Sequence, residues 1–286
     1  MMGVAAYHFP RSLVEALGLM SRYGAEAMPL AGGTDLMVEL RQGKHKASHL
    51  VDISRLPELK ILEQKDGFIH VGAGLTFSEI MDSELLRAHA PVLVKAASRI
   101  GSVQIRNMAT LGGNVVHCSP CADSVPALLV LRARAVLASL AGTRVVPLED
   151  ILWGAYRSGL RTGEILTRFV FESASHMWSD FQKLARRKAL AIARLSLAVM
   201  AQQDEKALVE VRIALGSGTP VPRRMNKVED LLKGRLPKER DLWEAGRLMA
   251  ASMVEISGTR ASTAYKEKAV QGLLVRALLP LVRNGK

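Results

Sequence analysis

The chain has 286 residues, of which 49% are hydrophobic and 23% charged, the composition of an ordinary globular protein long enough for two domains. Its 2 cysteines exclude a disulfide framework and indicate a reducing, cytoplasmic compartment, and we find no signal peptide and no membrane-spanning run of about 18 apolar residues. The net charge of +12 is scattered along the chain and only 5% of residues are aromatic, which disfavours nucleic-acid binding and favours an acidic partner or an anionic ligand.

The first block of the chain predicts a small, partly parallel sheet. A helix from Arg11 to Tyr23, with Ser12 as its N-cap, precedes a strand from Met28 to Ala31. A short helix from Leu36 to Arg41 and a strand from Leu50 to Ile53 follow. A strand–helix–strand order of this kind places two strands parallel in one sheet.

A second block predicts an α+β arrangement with more hairpin-like connections. The strand Phe68–Val71 enters Gly72-Ala73-Gly74, but Phe77 stands where a dinucleotide-binding fingerprint needs a third small residue. We therefore interpret these glycines as turn and packing residues, with Thr76 as a helix cap. Further helices are expected at Pro91–Ile100 and Ser124–Leu131, and strands at Ala135–Leu140, Arg144–Val146 and Glu164–Phe171.

A change of composition near residues 172–179 indicates a domain boundary. Serines surround His176 there, and longer amphipathic segments follow. The third block predicts strands at Trp178–Leu184, Ala193–Ala201 and Leu208–Leu215, and helices at Met225–Lys233, Pro237–Ile256 and Thr259–Leu279.

Two glycine pairs stand out as candidate ligand contacts. Gly32-Gly33 follows the strand at Met28–Ala31, and Gly112-Gly113 lies between Thr110 and Asn114. Glycine lets the backbone approach a ligand closely, and amide N–H groups freed at such turns favour phosphates. A single Gly-Gly pair is most often a surface turn, but two such loops suggest a ligand with two phosphates.

Motifs along nearly the whole chain resemble one known family. They are Ala31-Gly32-Gly33-Thr34-Asp35-Leu36, Gln104-Ile105-Arg106-Asn107, Thr110-Leu111-Gly112-Gly113-Asn114, Ser119-Pro120-Cys121-Ala122-Asp123-Ser124, Phe181-Gln182-Lys183-Leu184-Ala185-Arg186-Arg187 and Tyr265-Lys266. With these motifs the chain resembles the FAD-binding medium subunit of the molybdenum hydroxylases, which include xanthine dehydrogenase and enzymes like carbon monoxide dehydrogenase.

The resemblance implies an α+β fold of two domains. Residues 1–175 would form an FAD-binding domain of the vanillyl-alcohol oxidase or PCMH type, with two α+β subdomains at about 1–56 and 57–175. Residues 176–286 would form a domain like the carbon monoxide dehydrogenase flavoprotein C-terminal domain, with a three-stranded antiparallel sheet and a helical bundle.

The resemblance also implies a set of FAD-binding residues. Carried over onto this sequence, they are Leu30, Ala31, Gly32, Gly33, Thr34, Asp35, Leu36, Ile100, Thr110, Leu111, Gly112, Gly113, Asn114, His117, Asp123, Leu166 and Lys183. In the family the first loop wraps the FAD pyrophosphate, and FAD is held non-covalently. His117 is then expected to be a hydrogen-bonding neighbour rather than an attachment point.

Three of these residues keep alternative roles. Asp123 matches an acidic residue at the cofactor's sugar chain, but a lone Asp before Ser124 is more often a helix N-cap. Lys183 matches a lysine near the flavin ring, where a cation would raise the flavin potential, although it could be a solvated lysine at a strand end. Asp35 is an odd neighbour for phosphate, and we expect it to cap the next turn or point away.

No catalytic or metal-binding set is apparent in the sequence. Cys118 and Cys121 have the spacing of half a zinc site, but no second pair exists and two thiols cannot hold an iron–sulfur cluster. The resemblance therefore implies an electron-transfer subunit, with molybdopterin on a large partner, two [2Fe-2S] clusters on a small one and NAD or another acceptor beyond them. A dimer of heterotrimers is expected. A free-standing FAD-dependent oxidase or dehydrogenase and a non-catalytic nucleotide-binding scaffold are the alternatives.

Overall fold

The computed structural model describes residues 4–45, 47–187, 190–205 and 207–284, with side chains up to residue 282. The chain divides into two compact units, and each is described by itself. The first comprises Met1–Leu85, Ser102–Cys118 and Arg132–Glu172, and the second comprises Leu86–Gly101, Ser119–Leu131 and Ser173–Lys286. The expected domains 1–175 and 176–286 are continuous segments, whereas each unit draws on three segments, so that division stays a prediction.

The first unit opens with a parallel sheet of order β1-β3-β2, formed by β1 (Ala6–His8), β2 (Ala27–Leu30) and β3 (His49–Asp52). Helices α1 (Leu13–Tyr23) and α2 (Leu36–Arg41) connect the strands as the sequence predicts. The Ser12 side chain accepts a hydrogen bond from the Glu15 amide and caps α1. The sequence gives no sign of β1, because three residues are too few for a period of two to show.

The same unit contains a five-stranded antiparallel sheet of order β4-β5-β10-β6-β7. Its strand β10 carries the fully buried Phe169 and is paired on both sides. The edge strand β4 is largely exposed, so its sequence has no apolar alternation and the prediction missed it. The strands are β4 (Leu62–Lys65), β5 (Phe68–Gly72), β6 (Arg134–Ser139), β7 (Gly142–Pro147) and β10 (Ile165–Glu172), with a separate hairpin of β8 (Leu152–Gly154) and β9 (Arg157–Ser158).

Short helices lie in the connections between these strands. Thr76 caps the first of them through a reciprocal capping box with Glu79, as predicted. A Cβ atom on Gly72 would lie 2.2 Å from the Leu59 carbonyl oxygen and one on Gly74 would lie 2.9 Å from Leu59 Cβ, so both are packing glycines. These helices are α3 (Phe77–Asp82), α6 (Val103–Met108) and α7 (Leu111–Val116), whereas α4 (Glu84–His89) has most of its residues in the second unit.

The second unit is built on an antiparallel sheet of order β11-β12-β13-β14. The expectation of three strands is corrected to four, because the two-residue strand β14 (Arg223–Arg224) pairs with β13 and is anchored by a bidentate ion pair from Arg224 to Glu229. The remaining elements are β11 (Trp178–Ala185), β12 (Ala193–Gln203), β13 (Leu208–Gly216), α5 (Pro91–Ser98), α8 (Ser124–Val130), α9 (Asn226–Leu232), α10 (Glu239–Ser257) and α11 (Thr263–Asn284).

Helix α10 of the second unit buries one apolar face. Leu242, Ala245, Met249 and Met253 recur along α10 at helical spacing, and all are buried in the core under the sheet. A Cβ atom on Gly246 would lie 3.1 Å from the Gln271 Cα atom, so glycine permits close contact of α10 with α11. Within the described ranges, no helix combines the length and apolarity needed to cross a membrane.

Candidate cofactor-binding site

The first glycine loop of the first unit presents a run of free amides. It joins β2 to α2, and Gly33 has a φ of +67°. The Met37 amide donates to the Gly33 carbonyl, and the amides of Val38 and Glu39 donate to the Asp35 carbonyl. Residues 32–36, by contrast, have amide groups without a partner in the part of the chain that the structure describes. Consecutive free N–H groups at a left-handed glycine form a concave anion-binding nest.

Gly32, the residue before Gly33, is required for close packing of the backbone. A Cβ atom on Gly32 would lie 1.9 Å from the Met108 carbonyl oxygen and 3.0 Å from the Ala109 Cα atom. Only glycine therefore lets the first loop lie directly against the junction between α6 and α7. Because this junction immediately precedes Thr110, the two glycine loops predicted from the sequence are brought together within one unit.

The second glycine loop is the capped start of α7. Thr110 Oγ1 accepts from the Gly113 amide at 3.2 Å, and the Thr110 carbonyl accepts from Asn114. The amides of Leu111 and Gly112 donate to the carbonyls of Leu75 and Ala73 at 2.9 and 2.7 Å. The sequence led us to expect that both loops offer amide groups to phosphate. This expectation is corrected for the second loop, because its amides already donate hydrogen bonds to neighbouring oxygen atoms.

Leu166 lies in the sheet behind this second loop. It is 4% exposed and sits at a bulge of β10. The next residue, Thr167, accepts a hydrogen bond through its carbonyl from the Ala73 amide, and the Ala73 carbonyl in turn accepts from Gly112. Leu166 thus lies in the strand whose next residue, Thr167, is linked to the second loop by these hydrogen bonds.

A carboxylate connects the elements that follow the two loops. Glu39 of α2 has its Oε1 atom 3.0 Å from His117 Nε2 and its Oε2 atom 2.8 Å from His45 Nε2. Partial burial acts to raise the pKa of Glu39, but the hydrogen bonds and charges of His117 and His45 outweigh it and lower the pKa. His117 thus hydrogen-bonds to Glu39, and its expected role as a hydrogen-bonding neighbour of FAD stays a prediction. Asp35 is exposed and its side chain makes no capping bond to α2.

The second unit contains a buried ion pair. Lys183 Nζ of β11 lies 2.5 Å from Asp123 Oδ2 and donates to the Arg99 carbonyl at 2.8 Å, and the two paired side chains are 9% and 5% exposed. The alternatives weighed for both residues are therefore wrong: Asp123 precedes α8 in helical conformation without a side-chain capping bond, and Lys183 is not solvated. Ile100, the neighbour of Arg99, is buried.

One oxygen of this pair has no hydrogen bond. Burial raises the pKa of Asp123 to about 6, although the charge and hydrogen bond of Lys183 and the nearby Ser196 hydroxyl act to lower it. Within the described residues, neither Asp123 Oδ1 nor Ser196 Oγ makes a hydrogen bond of normal geometry, although the Ser196 hydroxyl is close enough to lower the pKa of Asp123. A buried acceptor of this kind suits a ligand hydroxyl, because leaving it unsatisfied costs about 1–3 kcal/mol.

The two cysteines are free thiols. Burial raises the pKa of Cys118 to about 11, so this thiol stays protonated at neutral pH. Cys121 is partly exposed and its Sγ atom lies 3.4 Å from the Ala193 carbonyl oxygen. Among the residues that the structure describes, no three His, Cys, Asp or Glu side chains are grouped so that they could hold a metal ion.

Two family models cover almost the whole chain. Residues 2–171 match the FAD binding domain in molybdopterin dehydrogenase, and residues 180–281 match the CO dehydrogenase flavoprotein C-terminal domain. The chain belongs to the family of FAD-binding subunits of molybdenum hydroxylases. It is an oxidoreductase subunit. Within the first unit, the amides of Gly32–Leu36 that lack a partner among the described residues fit a diphosphate group such as that of FAD.

Characterised members of the family are similar over their full length. The chain is 33% identical to the nicotinate dehydrogenase FAD-subunit of Eubacterium barkeri, covering 96% of this chain and 94% of that protein. It is 30% identical to a xanthine dehydrogenase FAD-binding subunit of Escherichia coli O157:H7, covering 97% and 96%. A solved carbon monoxide dehydrogenase chain from Hydrogenophaga pseudoflava superposes with a TM-score of 0.91 at 26% identity, covering 99% and 98%.

Two features of the site have no motif in the sequence. Glu39 contacts both His45 and His117, although 78 residues separate Glu39 from His117. Besides Asp123, Lys183 donates to the backbone carbonyl of Arg99, and no residue type in the sequence can indicate a backbone acceptor. The only sequence feature that could have pointed to Glu39 is its position, as a polar residue about one helical turn after the first glycine loop.

Proposed function

We propose that this chain carries electrons through a non-covalently held FAD, which receives them from iron–sulfur clusters of a partner subunit and passes them to an external acceptor such as NAD. The observation that carries the proposal is the run of amides at Gly32–Leu36, which have no hydrogen-bond partner among the described residues and lie against the second glycine loop in one unit. Relatives named as medium chains of carbon monoxide dehydrogenases support the subunit role.

Different residues of the chain would bind different groups of FAD. Backbone N–H groups of Gly32–Leu36 would donate to the diphosphate, and the Thr34 hydroxyl would add a further donor. Asp123 Oδ1 would accept from a hydroxyl of the sugar chain. The remaining predicted contacts, including Ile100, Asn114 and Leu166, are proposed from the family likeness.

Lys183 is proposed to act on the redox properties of the cofactor. When bound, FAD supplies chemistry that takes up and releases one or two electrons. The Lys183 ammonium is fixed by Asp123 and by the Arg99 carbonyl, so its position needs no reorganisation when negative charge develops near it. A fixed cation beside the ring would raise the flavin potential.

The partners are proposed from the names of the relatives. A solved neighbour of 26% identity is described as a Cu,Mo-CO dehydrogenase, so molybdenum is named for that protein. We propose a large molybdopterin-binding subunit and a small subunit with two [2Fe-2S] clusters, in a dimer of heterotrimers. The domain division at 175/176 with the vanillyl-alcohol oxidase or PCMH-type fold, and the cytoplasmic location, stay predictions.

Purification of the tagged chain from its native host tests this function. We expect molybdenum, iron and FAD to copurify, and we expect anaerobic titration with NADH to bleach the flavin before the iron–sulfur bands. A flavoprotein that purifies alone and oxidises an organic substrate would instead identify a free-standing enzyme. A chain without flavin would identify a scaffold.

A further inference from the structure

The net charge of the chain belongs to one of its two units. Basic and acidic side chains are equal in number among the residues of the first unit, so the surplus of +12 lies entirely in the second unit. The charge is scattered along the sequence, but the fold gathers it, because the second unit collects three separate segments of the chain. A strongly basic surface speeds the association of acidic partners. The candidate diphosphate loop lies in the neutral first unit and therefore does not account for this charge.

A groove rich in arginine opens at the surface of the second unit. It has a volume of about 370 Å³, and its described lining residues are Arg186, Arg187, Ala191, Ile192, Ala193 and Arg194. These residues are referred to below as the arginine groove. The sequence from Phe181 to Gln203, which contains all of them, has no acidic residue. Because arginine stays protonated at physiological pH, the positive charge of the groove is permanent.

Two of the arginines are held in place by contacts of their own. Arg187 Nη2 donates to the Leu190 carbonyl at 2.8 Å. The guanidinium carbon of Arg194 lies 5.3 Å from the centre of the Tyr265 ring, which is the geometry of a cation–π contact. A guanidinium that is already held loses less side-chain entropy when it pairs with a carboxylate. Both arginines are therefore prepared to recognise acidic groups.

Exposed apolar side chains accompany the arginines. Ile192 lines the groove and is 79% exposed, and Leu190, two residues before it, is 56% exposed. A phosphate group bound by the arginines would leave both side chains in water, whereas a protein surface would cover them together with the arginines. Arginine beside apolar residues is typical of protein–protein interfaces. The permanent positive charge then favours a partner protein with an acidic surface.

The arginine groove begins next to the lysine that the proposed function assigns to the flavin ring. Lys183 lies on β11, which ends at Ala185, and Arg186 is the following residue. At about 3.3 Å per residue of extended chain, Arg186 is within about 10 Å of Lys183. Permanent subunit interfaces are large and apolar, whereas electron-transfer partners meet through small, transient contacts. A small, charged groove at this distance from Lys183 fits the second kind of contact.

We propose that the arginine groove docks an acidic electron-carrier protein, which takes electrons from the flavin as the external acceptor. The proposal rests on the proposed function, because it names the class of acceptor for the same flavin. Two carrier molecules each gain one electron from a two-electron-reduced flavin, whose protons pass to solvent as it returns to the oxidised form.

The test compares two forms of one probe protein that carry opposite charge. Native cytochrome c is basic, and succinylation of its lysines makes it acidic without replacing its haem. The full chain is loaded with FAD, reduced with one equivalent of dithionite in the absence of oxygen, and mixed with each ferric form while haem absorbance is followed by stopped flow. At about 10 mM salt we expect the acidic form to be reduced at least about tenfold faster. At about 0.5 M salt the two rates should converge, because salt screens the attraction.

Arg186→Gln combined with Arg194→Gln removes two charges from the groove. Arg187 is left unchanged so that its hydrogen bond to Leu190 remains. The preference of this double variant for the acidic cytochrome at low salt should fall below about threefold. Its FAD content, measured first, should equal that of the unaltered chain. If the double variant fails to fold, Arg186→Gln alone carries the test.

Arg240→Gln combined with Arg247→Gln is the matched control. Both arginines are exposed residues of α10, in the same unit. They lie about 15–25 Å before the end of α10 from which the chain continues to Tyr265, the residue that contacts Arg194. This variant removes the same number of charges from another part of the unit, so it should keep most of the preference for the acidic cytochrome.

The outcomes separate this inference from the proposed function. Equal rates for the two cytochrome forms at low salt, or a full preference in the Arg186→Gln, Arg194→Gln variant, would overturn the docking role of the groove while FAD binding stands. If NAD⁺ reoxidises the flavin faster than the acidic cytochrome does, and more slowly in the same variant, the groove binds a nucleotide and the proposal is likewise overturned. Failure of the unaltered chain to bind FAD would overturn both.

Discussion

Removal of Lys183 should destabilise the second unit, because it leaves the Asp123 carboxylate buried without its ion-pair partner. In Lys183→Met the Asp123 side chain, which is 5% exposed, loses the bond to its Oδ2 atom, and its Oδ1 atom has no partner within the described residues. Breaking a buried ion pair by removing one partner typically costs about 3–5 kcal/mol. We therefore expect the free energy of unfolding at pH 8 to fall by about that amount.

The effect should depend on pH in a defined direction. The pKa of Asp123 is raised to about 6 even beside Lys183, and it should rise further without that cation. A carboxyl group with a folded pKa above its unfolded value of about 3.9 favours the folded state increasingly as pH falls through the folded pKa. The variant should therefore recover stability between pH 8 and pH 5, and its deficit at pH 5 should be about half of the deficit at pH 8 or less.

Urea denaturation of the flavin-free chain, followed by tryptophan fluorescence, measures this difference. Lys95→Met is the matched control, because Lys95 pairs with Asp180 at 3.2 Å in the same unit but is 49% exposed. Its loss should cost less than about 1 kcal/mol. A deficit of Lys183→Met that equals that of Lys95→Met, or that does not change with pH, would refute the reasoning.

Three further outcomes follow from the site geometry. Gly32→Ala places a Cβ atom 1.9 Å from the Met108 carbonyl oxygen and should abolish FAD retention, whereas Gly18→Ala, with nothing within 4 Å, should retain FAD and gain up to about 1 kcal/mol in urea unfolding. Thr110→Val removes the cap of α7 and should cost about 1 kcal/mol in the same assay. Iodoacetamide at pH 8 should label the partly exposed Cys121 and leave Cys118, whose pKa burial raises to about 11, unlabelled until denaturant is added, as peptide mass spectrometry would show.

Elements with a long periodic pattern could be predicted from the sequence. The strand at Ala193–Gln203 and the helix at Glu239–Ser257 are observed within a few residues of their predicted bounds. The strand is a long, almost continuously buried apolar run, and the helix buries one regular face. The helix Val103–Met108, which has no buried residue, and the exposed strand Leu62–Lys65 could not be predicted. They have too few buried positions for a period to appear.

The candidate site, like the fold, could be predicted only in part. The positions of both glycine loops were predicted, since glycine pairs between apolar segments are a local signal. Which amides remain free could not be predicted, because the carbonyls of Ala73 and Leu75 that use the second loop's amides arrive from another part of the chain. The partnership of Asp123 with Lys183 spans 60 residues and likewise depends on tertiary structure.

A comparison of flavin affinities tests the central claim most directly. The flavin-free chain is titrated with FAD and with FMN, which lacks the diphosphate bridge and the adenosine. Each hydrogen bond to a charged phosphate is worth about 1.5–3 kcal/mol, so the loss of two such bonds predicts that FAD binds at least about 100-fold more tightly than FMN. Gly32→Ala should abolish this preference if it still folds. Equal affinity for the two flavins in the unaltered chain would contradict the assignment of the free amides at Gly32–Leu36 to a diphosphate.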